Sequence, residues 1–173
     1  MKAEWGRRRV AVVLAALLLC GCGLAEGGRE PARPFTASGF LGVDLGRTVG
    51  DICAGHPDFT PVTGTGEVTV SWQRSDWTFR DGVLVEIAPL DGGRTMDGVT
   101  VDSSVREAID LYGPPLEVTV NPDESDTVVF RPTPDASVAY RMRVLDYVPP
   151  ITTFAGILNN SSGTITAITL AAR

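Results

Sequence analysis

The sequence holds a single lysine (Lys2), a single histidine (His56) and three cysteines (Cys20, Cys22 and Cys53) in 173 residues. One histidine cannot assemble an HExxH zinc helix or any multi-histidine metal cluster. Past Cys22 a lone Cys53 has no partner for an internal disulfide, and there is no CxxC, GxSxG or Gly-rich phosphate loop. Outside the first 20 residues no apolar run is long enough to cross a bilayer, which excludes a helical channel or transporter. Bases are outnumbered, 15 against 21 acids, for a net charge of −6. The sequence pI is about 4.7. Nucleic-acid affinity comes mainly from Lys and Arg neutralising phosphates, so no nucleic-acid partner is expected. With 43% hydrophobic residues and a mean hydropathy of +0.10, the chain is also too apolar to be disordered.

What is present begins at the N-terminus. Lys2, Arg7, Arg8 and Arg9 form a basic segment, and Val10 to Leu19 is a ten-residue apolar run followed by small residues at Gly21 and Gly23. Ten residues at 1.5 Å each cover about half of a ~30 Å hydrocarbon core, so the run predicts a secretory signal peptide over 1–21 and no spanning helix. The Leu19-Cys20-Gly21-Cys22 stretch places an aliphatic residue at −3, a small residue at −1 and cysteine at +1. In this it resembles the lipobox of a bacterial lipoprotein precursor. Cys20 fits less well, because Leu19 would then occupy the −1 position. The resemblance implies that Cys22 is the lipid attachment site, a diacylglyceryl cysteine at the mature N-terminus. It implies a protein on the extracytoplasmic face of the cell membrane, where two acyl chains suffice for stable anchoring.

Removal of residues 1–21 takes away four bases and one acid. Eleven bases, all arginine, and twenty acids remain, a net −9 over 152 residues. Anionic headgroups repel such a surface, so the acyl anchor must hold it. Cys53 shares an apolar helical face with Val49 and Ile52, the setting of a buried, inert thiol. Residues 22–38, rich in Gly, Pro and charge up to Pro34, predict the lipidated N-terminus and a flexible tether; 39–173 predict a single domain.

Within that domain the pattern predicts an α+β fold with two helix-plus-antiparallel-strand repeats, 42–90 and 98–171, sharing or packing into one sheet with the helices on one face. Gly42, Val43, Thr48, Val49 and Asp51 align at an offset of 56 with Gly98, Val99, Ser104, Val105 and Glu107. Ser104 and Glu107 have the spacing of a capping box, and Val105, Ala108, Ile109 and Tyr112 form an apolar helical stripe. Val68, Val70 and Trp72 alternate with Thr69, Ser71 and Gln73, and Asp81-Gly82 marks a two-residue hairpin turn. Gly163 to Ile168 echoes Gly82 to Ile87 as a closing strand.

No residue is marked out for catalysis. His56 sits at a predicted helix end before Pro57, where capping or packing explains it. The loop 121–126 clusters three acids without the residue order of a calcium site. Arg141 and Arg143 alternate with Tyr140, Met142 and Val144 and so point away from the core, with Arg80 joining them from the hairpin. An Arg-bearing sheet face without helices over it suits protein recognition, and these three arginines are the candidate partner-binding residues.

The [Ser/Thr]-Val-x-[Asp/Glu] helix start, the Tyr112-Gly113-Pro114-Pro115 stop and the Gly-x-[Leu/Ile]-x-x-Ile closing strand resemble two groups of secreted bacterial proteins. One is the small outer-membrane-assembly lipoproteins, with one such unit; the other is the β-lactamase-inhibitor-protein-like family, with two in tandem. The resemblance covers roughly 42–170 and implies a duplicated unit working by protein contact. The inhibitors carry disulfides within their repeats and this chain has none available, which weakens the case for enzyme inhibition. The expectation is therefore a membrane-anchored, non-catalytic protein-binding module with no cofactor and no metal. The alternatives are a carbohydrate- or lipid-binding module and, third, a secreted hydrolase. Replacing Cys22 with Ser should move the protein from the membrane fraction to the soluble fraction and abolish palmitate labelling, read by fractionation of intact cells and immunoblotting; retention in the membrane would refute lipidation.

Overall fold

The computed structural model describes residues 32–61, 63–121, 125–134, 136–149, 151–153, 156–158 and 162–173. They belong to one compact unit running from Ala32 to Arg173. A small hairpin of β1 (Gly39–Phe40) and β2 (Val43–Asp44) leads into helix α1 (Val49–Gly55). Three strands follow as a meander: β3 (Glu67–Trp72), β4 (Ser75–Arg80) and β5 (Val83–Pro89). Helix α2 (Val105–Tyr112) precedes a second meander of β6 (Glu117–Thr119), β7 (Asp126–Phe130) and β8 (Val138–Val148). After a short hairpin of β9 (Ile151–Thr153) and β10 (Gly156–Leu158) comes β11 (Ser162–Ala172). The seven main strands form one antiparallel sheet in the order β3-β4-β5-β11-β8-β7-β6.

Local chemistry accounts for the turns and helix starts. Asp81 and Gly82 both have positive φ, 51° and 80°, the geometry of a type I′ turn whose twist matches the flanking strands. The β3–β4 turn is made the same way by Gln73 and Arg74, at φ 50° and 57°, without the glycine that usually announces it. Thr48 caps α1 with a complete capping box: its hydroxyl accepts from the Asp51 N–H at 3.2 Å and the Asp51 carboxylate accepts from the Thr48 N–H at 3.2 Å. At α2 the Ser104 hydroxyl accepts from the Glu107 N–H at 3.3 Å. The reciprocal box therefore belongs to the first helix, where the shorter Asp51 side chain reaches back.

The balanced α+β fold with two repeats is not what forms. Strand makes up 46% of the described residues and helix 12%, so the protein is mostly β. The helices last two turns each, 7 and 8 residues, whereas β8 and β11 run for 11 residues apiece. The two halves are not copies. The first supplies a three-stranded meander, and the second a three-stranded meander plus β11, which inserts between β5 and β8. The matched closing strands, Gly82 to Ile87 and Gly163 to Ile168, hence hold different positions: one is the third strand of its meander and the other a fourth strand beyond it. Short permissive motifs mark where strands and helices start, and carry no information about which strand sits beside which.

One face of the sheet builds the core. Trp77, Phe79, Leu84, Ile87, Phe130, Tyr140, Met142, Val144, Ile165, Ile168 and Leu170 are all buried there. Ile52 from α1 and Val105, Ala108 and Ile109 from α2 complete it. At about 1.5–3 kcal/mol per large apolar side chain, this burial is the main stabilising contribution. Phe35 is 1% exposed and packs on Phe40 and Tyr140 at ring distances of 5.3 and 6.0 Å. The ordered fold thus starts before residue 39, where the tether was expected to end.

The β5–α2 connection passes close to β11. Gly92 accepts from the Ile168 N–H at 2.7 Å, and at Gly93 (φ 77°) an added methyl carbon would stand 2.6 Å from the Ile168 carbonyl oxygen. Gly42 has a similar φ of 82° but open space around it. Gly93→Ala should therefore destabilise the fold by clearly more than Gly42→Ala, which bears only the ~1–2 kcal/mol cost of a left-handed alanine. Urea unfolding followed by circular dichroism measures both; equal losses would refute the close approach.

Candidate functional site

The face of the sheet opposite the core is set by strand alternation. Ser75, Trp77 and Phe79 of β4 are buried, so Asp76, Thr78 and Arg80 project the other way. On β8, Tyr140, Met142 and Val144 are buried while Arg141 and Arg143 are exposed on the open face. Adjacent strands extend the same surface with Glu67, Thr69 and Ser71 on β3, Glu86 on β5, Thr169 on β11, Thr127 and Val129 on β7, and Glu117 and Thr119 on β6, as the cross-strand register requires. Threonine and charged residues dominate it. Thr69 and Thr78 hydroxyls stand 3.0 Å apart, and the Ser71 hydroxyl donates to Asp76.

The three candidate arginines occupy this face, but not as one cluster. Arg80 and Arg141 line a single open depression of about 350 Å³, together with Glu67, Thr78, Glu86 and Arg173. Arg80 donates through Nη2 to Glu67 Oε2 at 2.9 Å, and Arg141 through Nη1 to Glu86 Oε2 at 2.7 Å. Arg143 lies one alternation further along β8, opposite Ala167 on β11 and Thr127 on β7. Two ion pairs, Arg80–Glu67 and Arg141–Glu86, thus lie on this face. Glu67 and Glu86 were not anticipated. Glu67 faces Arg80 because of the Gln73-Arg74 turn, and Glu86 meets Arg141 only because β11 lies between their strands. Ala171 of β11, opposite Glu86, is 2% exposed, and its small side chain leaves room for the ion pair to reach across the strand.

The remaining residues singled out in the sequence take structural roles. His56 is the C-cap of α1, its N–H donating to the Ile52 carbonyl at 2.8 Å, and its ring meets Trp72 edge-on at 5.0 Å. Phe59 also packs on Trp72, at 5.3 Å, and on Phe79, at 5.9 Å. Asp58 accepts from the Trp72 indole N–H and the Gln73 amide, both at 3.0 Å, and these two bonds hold its carboxyl below the usual aspartate value. Cys53 is half-buried at the edge of the core. Burial pushes the phenols of Tyr112 and Tyr140 up, which keeps them neutral; the Tyr112 hydroxyl donates to Thr95 at 2.8 Å. In the 121–126 loop, the Asn121 N–H donates to Asp126 at 2.9 Å and its side chain to the Ser125 carbonyl at 3.0 Å, closing a β6–β7 turn. Residues 122–124 of that loop and Cys22 lie outside the described residues. Among the described residues no group of three or more His, Cys, Asp or Glu is placed to hold a metal ion. No helix among them is long and apolar enough to cross a membrane.

Comparison of the chain with family models, curated proteins and solved structures finds no match.

With side-chain exposures of 51% and 30%, the Arg141–Glu86 pair is largely solvated. A double-mutant cycle with Arg141→Ala and Glu86→Ala should return a coupling of about 0.2–1 kcal/mol in thermal unfolding, the range of exposed pairs. A coupling several times larger would make the pair a structural brace and not part of a recognition surface.

Proposed function

We propose that this chain is a lipid-anchored lipoprotein of the extracytoplasmic membrane face whose open sheet surface binds another envelope or secreted protein without catalysis. The anchor rests on the basic segment, the short apolar run and the Leu19-Cys20-Gly21-Cys22 motif, which make Cys22 the acylated residue. The observation that carries the binding reading is the face of the seven-stranded sheet that no helix among the described residues covers, with Arg80, Arg141 and Arg143 arrayed across it. Its polarity matches the rim and surround of non-obligate protein interfaces, which are no more apolar than the rest of a protein surface. Arginine supplies the directional contacts there, since its planar fork pairs bidentately with carboxylates. Arg80 and Arg141 pair with Glu67 and Glu86 in solvent, weak contacts that a partner's carboxylate can replace.

Site-specific photo-crosslinking in intact cells tests this reading. A photoreactive amino acid at Thr169, Val129 or Arg143, all on the open face, should capture the same protein, and one at Arg106 on α2 should not. Arg80→Glu combined with Arg141→Glu should reduce that adduct about tenfold or more, as expected for charge reversal at a recognition surface. Adducts with lipid or glycan alone, or none from any of the three face positions, would overturn the protein-binding reading.

A further inference from the structure

We draw no further inference here: the strongest candidate, the open depression on the sheet face lined by Arg80, Arg141, Glu67 and Glu86, belongs to the site already described, and its paired charges do not state what would fill it.

Discussion

Everything in this fold depends on one ladder, the seating of β11 between β5 and β8. Each three-stranded meander alone has an edge to fill and too little apolar surface to stand independently, since small units bury a low fraction of what their unfolded chains expose. β11 removes both deficits together. Its backbone pairs with β5 at Leu170 and Ala171 and with β8 along nearly its whole length, while Ile165, Ile168 and Leu170 fill the space between the two sets of core aromatics. Register shifts after Ser162 and after Ile165 let an 11-residue strand stay in step with its neighbour while the sheet twists. Gly92 and Gly93 carry the β5–α2 connection tightly past the same strand.

The same placement decides what the open face looks like. Arg141 and Glu86 belong to strands separated by β11, where they stand opposite Thr169 and Ala171, and their side chains meet across that strand. A larger side chain at Ala171 would stand where the ion pair crosses. The shape of the open face is thus a by-product of core architecture: the strand that fills the interior with Leu170 sets its small neighbour Ala171 opposite Glu86 on the other face.

Much of this was legible in the chain, and the part that was not shares one cause. Asp81-Gly82 marks its turn because both positions need positive φ, and Arg141 and Arg143 are readable as surface residues because they alternate with Tyr140 and Met142. Such signals are local, spanning two to five residues. Gln73-Arg74 makes the same turn without glycine and leaves no such mark. The neighbours of β11, the Arg141–Glu86 contact and the inequality of the two halves all depend on strand order, which is long-range. The internal likeness of Gly42 to Cys53 and Gly98 to Ile109 is real as a pattern of helix starts, since both helices begin on a hydroxyl cap. It does not extend to the strands that follow.

The β5–β11 pairing has a kinetic side. Leu170 meets Ile87 across 83 residues of chain. Closing so long a loop costs entropy before any contact offsets it, and folds dominated by such pairings form in about milliseconds to seconds, far slower than local helical ones. Until β11 docks, both β5 and β8 present bare strand edges. That interval is when the chain is most open to wrong pairing, and its net charge of −6 then acts as protection, keeping copies apart while the sheet is still incomplete.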